Sequence, residues 1–250
     1  MISVFTLFSG SSGNCTVIKN GDRYALIDAG VSFSALSKAL SENGISPERI
    51  EAVFLTHEHS DHISGIPVLQ KKLPEIKIYS SVGTAKNVNA NISTVCEGEC
   101  VEASGLAFVP FSTPHDAAES FGYTVYENGE RKIGFATDTG YASDSIISGL
   151  SGCKTVVIES NHDLAMLMTG RYPYYLKRRI ASDAGHLSNE DCAELAKTLY
   201  ESGTRNFLLA HLSRENNLPE LALECTRQSL KSDAFVAVGH INSRSEELNA

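Results

Sequence analysis

The feature that most limits what this chain can fold into is the stretch Thr56-His57-Glu58-His59-Ser60-Asp61-His62. It reads H-x-H-x-D-H and places three imidazoles and two carboxylates within six residues, directly after the apolar run Ala52-Val53-Phe54-Leu55. That run predicts a buried strand, so the ionisable groups emerge where a sheet gives way to a loop. Crowded there, they would desolvate and repel one another unless a cation held them. A divalent ion accepts neutral imidazole nitrogens and carboxylate oxygens together. The pattern therefore points to metal-assisted chemistry, with hydrolysis as the leading expectation.

The rest of the composition narrows the setting. A chain of 250 residues, 42% hydrophobic and 20% charged, can bury a sizeable core, and one domain over residues 1–250 is expected. Met1 to Phe8 lacks a basic start, and its apolar character breaks at Ser9-Gly10-Ser11, unlike a secretory signal. No run approaches the roughly 18 apolar residues of a membrane helix, so no membrane role is expected. Six scattered cysteines (15, 96, 100, 153, 192, 225) fit reduced thiols and a cytoplasmic location. Cys96 and Cys100 lack a matching second pair and do not suggest structural zinc. A net charge of −9 argues against a broadly basic nucleic-acid binder while leaving room for a local cationic site. Nothing in the sequence specifies a protein partner.

Strands are predicted at Ser3–Phe8, Cys15–Lys19, Tyr24–Asp28, Ala52–Thr56, Lys77–Tyr79, Leu106–Phe111, Gly122–Glu127, Arg131–Ala136, Thr155–Glu159, Phe207–Ala210 and Ala234–Val238. Helices are predicted at Ser32–Asn43, Ser64–Lys72, Asp144–Leu150, Pro173–Ala181, Ser188–Ser202 and Pro219–Lys231. Lys19-Asn20-Gly21-Asp22 is a hairpin signal, and Ser188 with Asp191 is close to a capping box. This α/β mixture, without strict alternation, suggests sheets packed on one another with helices outside. A faint repeat supports a pseudo-twofold plan. Two apolar strands end in Asp-x-Gly, at Asp28 and Asp138, and two end in His, at His57 and His211. The Asp-to-His spacing is 29 residues in the first half and 73 in the second, so the second half carries an extra segment of about 44 residues.

One short motif cannot close two metal sites. His115, Asp138 and His211 each stand just past a predicted strand and are the natural partners. Together with His57, His59, Asp61 and His62 they make seven ligands, enough for two ions about 3.5–4 Å apart.

In this order the residues resemble the metallo-β-lactamase-fold hydrolases, over nearly the whole chain. The resemblance implies a four-layer αββα sandwich. It places His57, His59 and His115 on one ion and Asp61, His62 and His211 on the other, with Asp138 bridging them and Asp28 supporting from beneath. Asp138 stands where zinc β-lactamases typically carry Cys, which favours phosphodiesterases and thioesterases. Glu159 and His186 resemble the Glu and His of ribonuclease Z, where the His helps protonate the leaving oxygen.

Ser9-Gly10-Ser11-Ser12-Gly13-Asn14-Cys15, Glu159-Ser160-Asn161-His162-Asp163 and Leu176-Lys177-Arg178-Arg179-Ile180 resemble the YycJ (WalJ) type of bacterial metallohydrolase. That likeness implies a 5′→3′ exonuclease acting on DNA. The expected cofactors are two divalent ions per chain, zinc or manganese, with a hydroxide bridging them as nucleophile, oriented by Asp61. Substrate contacts are expected from Lys177, Arg178 and Arg179, whose run with Arg171 holds four cations and no anion, and from Ser11, Ser12 and Asn14 as a phosphate-facing loop. Tyr172, Tyr174 and Tyr175 are interleaved and could stack on bases. The alternatives are a small-molecule esterase, thioesterase or cyclic phosphodiesterase, and a metal-stabilised scaffold without turnover.

Overall fold

The computed structural model describes residues 2–250. The first sheet begins with β1 (Ile2–Phe8), β2 (Cys15–Asn20) and β3 (Arg23–Ile27), antiparallel neighbours whose hairpin turns on Gly21 at φ 60°. It continues in parallel through β4 (Ile50–Phe54), β5 (Lys77–Ser80) and the short β6 (Ser93–Thr94). The second sheet opens with antiparallel β7 (Val101–Ala103), β8 (Leu106–Ser112), β9 (Phe121–Glu127) and β10 (Glu130–Ala136). It then runs parallel through β11 (Thr155–Glu159), β12 (Asn206–Ala210) and β13 (Phe235–Val238). The last strand, β14 (Leu248–Asn249), returns to the first sheet beside β1.

Alternation along the strands sorts the core into three apolar layers. On β4, Ala52 and Phe54 face between the sheets, where Phe54 stacks on Phe108 with ring centroids 4.0 Å apart. Val53 and Leu55 face the other way, onto α1 (Phe33–Glu42) and the helix that follows the histidine motif. Behind the second sheet, Val156, Ile158, Phe207 and Leu209 pack on α5 (Asp144–Leu150), α8 (Asn189–Glu201) and α9 (Pro219–Ser229). Strands buried on both faces read as unbroken apolar runs, and the result is a helix–sheet–sheet–helix sandwich.

Three expectations need correction. The helix predicted over Ser64–Lys72 starts two residues later, as α3 (Ile66–Lys72), and a one-turn helix that the sequence did not suggest, α2 (Ser60–Ile63), precedes it. Gly65 parts them because its backbone presses on the loop at residues 29–31. A Cβ there would lie 2.2 Å from the Val31 carbonyl oxygen. The helix α6 (Leu164–Thr169), capped by Asp163, was not foreseen. The repeat is also shifted: the strand parallel to β3 is β4, but the strand parallel to β10 is β11. Glu159, rather than His211, thus ends the strand that stands where β4 does, and β12 is the next strand out.

Candidate metal centre

The parallel strands point their carboxyl ends at one rim of the sandwich, the usual location for ligand sites in such sheets. Three strand-end residues there have left-handed backbones: Asp28 at φ 62°, Asp138 at φ 54° and His211 at φ 56°. Non-glycine residues seldom adopt this conformation, and it turns each side chain back over the sheet end. The glycine of each Asp-x-Gly makes room for the segment packed on that turn. A Cβ on Gly30 would lie 1.6 Å from the Asp61 carbonyl oxygen, and one on Gly140 would lie 2.1 Å from that of Asp183.

All seven proposed ligands meet at this rim, in overlapping groups whose donor atoms lie within 4.8 Å of one another. One group is His57, His59 and His115; another is Asp61, His62 and His211; a third joins His57, His62 and Asp138. His59 Nδ1 faces His115 Nε2 at 3.3 Å. Asp61 Oδ2 lies 3.6 Å from His62 Nε2 and 3.7 Å from His211 Nε2. Three atoms in the middle, His57 Nε2, Asp138 Oδ2 and His211 Nε2, are buried without a hydrogen-bond partner. Burying such atoms unpaired is costly, and a cation is the partner that mixed imidazole and carboxylate donors accept. The residues therefore fit a divalent-metal centre.

Beneath the cluster, Asp28 is fully buried. It accepts the Thr56 N–H and hydroxyl, each at 2.9 Å, and pairs with His62 Nδ1 at 2.7 Å. It supports the motif rather than capping a helix; the cap of α1 is Ser32. Glu159 does the same for the other half. Its Oε1 accepts from His186 Nδ1 at 2.8 Å and His211 Nδ1 at 2.7 Å, and its Oε2 from the Thr139 and Leu187 N–H groups. Asp138, Glu159, His186 and His211 also converge, but the Nδ1 atoms of this group are already taken by Glu159.

The electrostatics divide the imidazoles. Burial and the surrounding imidazoles, His62 first, push His57 well below the ordinary histidine range, so its ring is neutral and free to coordinate. Burial also works against a charged His62, yet Asp138 and Asp28 overcome it and hold that pKa at about 9. His186 is raised in the same way, with Glu159 outweighing burial.

The expected substrate contacts fare unevenly. Ser11 and Ser12 are exposed at a loop tip, whereas Asn14 is buried against Asp61 and His62. The basic run on α7 (Tyr174–Ile180) is less free than its sequence suggests. Lys177 donates to the Met168 carbonyl at 2.7 Å, and Arg179 Nε donates to Asp116 Oδ2 at 2.6 Å. Arg178 stays exposed, as do Tyr174 and Tyr175, at 74% and 75%. Asp116 escaped notice in the sequence, although it follows His115 directly; its Oδ1 lies 3.4 Å from His115 Nε2. Thr56 was also missed. Its hydroxyl is 2.9 Å from His57 Nδ1, and its place just before the motif was the available signal.

A family model described as "Beta-lactamase superfamily domain" matches residues 23–212. The chain is 36% identical over 237 residues to "Exodeoxyribonuclease YycJ" of Bacillus anthracis, covering 92% of this chain and 89% of that protein. It is 35% identical over 242 residues to "Exodeoxyribonuclease WalJ" of Streptococcus pneumoniae serotype 2, covering 93% and 90%. Among solved structures, the metallo-beta-lactamase fold protein YhfI from Bacillus subtilis superposes with a TM-score of 0.76 at 17% identity over 99% of both chains.

Proposed function

Because the chain belongs to the beta-lactamase superfamily and is a metal-dependent hydrolase, we propose that it is a binuclear phosphodiesterase that degrades DNA from the 5′ end. One observation carries the reading. His186 stands beside the ligand cluster, 3.7 Å from Asp138, with its Nδ1 fixed by the buried Glu159. A histidine held in this way has a defined tautomer and a protonatable Nε2, which suits a general acid for a poor leaving group. The two relatives matched over most of their length are named exodeoxyribonucleases, in keeping with such a substrate.

His57, His59 and His115 would hold one ion, Asp61, His62 and His211 the other, and Asp138 would face both. When bound, the ions supply Lewis acidity and a water of lowered pKa. Asp61 orients the attacking water toward phosphorus. As the bond from phosphorus to the leaving oxygen breaks, His186 delivers its proton to that oxygen. Arg179 pairs with Asp116, which borders His115, and would offset charge on the phosphoryl oxygens by exchanging Asp116 for substrate. The exposed tyrosines of α7 offer stacking faces for unpaired bases.

A small-molecule esterase is the second reading, favoured by the internal engagement of Lys177 and Arg179. The purified protein, assayed on 5′-end-labelled duplex DNA, bis-p-nitrophenyl phosphate and a thioester, separates the two. Mononucleotide release from the duplex is expected. Thioester cleavage without DNA cleavage would overturn the proposal.

A further inference from the structure

The loop from Ser9 to Asn14, between β1 and β2, grips one of the two ligand triads at both of its ends. At the near end, Ser9 Oγ accepts the His211 N–H at 2.8 Å. It therefore holds one side of a residue whose backbone is left-handed, while Asn161 Nδ2 donates to the His211 carbonyl at 2.9 Å on the other. The Ser9 hydroxyl fits because residue 239 is glycine; a Cβ there would lie 2.9 Å from it. At the far end, the Asn14 N–H donates to the Asp61 carbonyl at 2.8 Å. Asn14 Nδ2 lies 3.3 Å from Asp61 Oδ2 and 3.0 Å from His62 Nε2. The loop also closes on itself: Gly10 N–H donates to Asn14 Oδ1 and Gly13 N–H to the Gly10 carbonyl, both at 2.9 Å.

The other triad is held differently. His57 Nδ1 meets the Thr56 hydroxyl, and His115 Nδ1 lies 3.2 Å from the Gly185 carbonyl oxygen. None of these contacts involves the loop.

We infer that Ser9 and Asn14 are positioning residues for His211 and Asp61, and that their loop sets the affinity of one ion site far more than that of the other. The inference rests on the binuclear reading above. Residues that orient metal ligands typically change metal affinity by about 10–100-fold when replaced. The two side chains act on different ligands, so their substitutions should weaken the same site.

The test follows zinc release from the loaded protein to a chromogenic chelator, with thermal unfolding recorded in parallel. The parent should release two ions in two resolved steps; a single ion at saturation would sink the binuclear reading itself. In Ser9→Ala and in Asn14→Ala, one step should loosen by about 10–100-fold. The other should loosen far less, because its own contacts do not involve the loop and it couples to the first through Asp138. If one variant fails to fold, the other still decides. Equal loosening of both steps, or no change in either, would overturn the inference.

Discussion

Asp138 reaches both ligand triads, with Oδ2 3.3 Å from His62 Nε2 and Oδ1 3.9 Å from His115 Nε2. Asp138→Ala should therefore lower metal content at both sites, where a substitution in either triad lowers mainly one. Elemental analysis after zinc saturation should give about two equivalents for the parent, since seven donors exceed what one four-coordinate ion uses. Less than one equivalent is expected for the variant.

His186 sits outside both triads yet shares Glu159 with His211. His186→Ala should keep its metal and slow DNA hydrolysis by about 10²–10⁴-fold, the usual contribution of a general acid. The loss should be much smaller with bis-p-nitrophenyl phosphate, whose leaving group departs without a proton. Equal losses on both substrates would assign His186 to orientation instead.

The metal-free protein should lose stability as alkali is added. Burial disfavours the charged His62 ring, but Asp138 and Asp28 raise its folded pKa to about 9, against roughly 6.5 for an unfolded histidine. A pKa raised on folding contributes stability in full below the unfolded value and loses it as pH climbs through the folded one. Urea midpoints of the chelated protein should thus fall between pH about 6.5 and about 9. Zinc binding near neutrality should release protons, measurable in weakly buffered solution, because the incoming ion replaces them.

DNA binding should depend on salt more weakly than the basic sequence implies. Four free cations would give a log–log slope near −3.6, but with Lys177 held by the Met168 carbonyl and three cations left to meet phosphate the slope should be about −2.7. Anisotropy titrations in calcium, from low to moderate salt, measure it. Tyr174→Ala and Tyr175→Ala should each weaken binding of a single-stranded end by about 1–3 kcal/mol if bases stack there.

The parts of the fold that were legible in the sequence are those written in contiguous residues. The buried strands showed as apolar runs, the hairpin as Asn20-Gly21, and the start of α8 as Ser188 with Asp191, which forms a full capping box. The candidate ligands stood out because the motif at residues 57–62, and each of His115, Asp138 and His211, lies just past an apolar strand. The braces did not, because they join segments far apart in the chain; Ser9 and His211 stand 202 residues apart. The engagement of Lys177 and Arg179 was hidden for the same reason, since their acceptors, the Met168 carbonyl and Asp116, lie outside the basic run. The short strands β6, β7 and β14 hold two or three residues each, too few to show a period.

The left-handed turns at Asp28, Asp138 and His211 bear on when the protein acquires its metal. No isolated peptide would hold these three residues in that conformation; only the paired sheets around them enforce it. The unfolded chain therefore offers an ion little beyond the contiguous histidines of residues 57–62. High-affinity capture must wait until both sheets have closed. Folding would thus come before loading, and because the ion then binds the folded chain and not the unfolded one, its supply would add to stability as well as to activity.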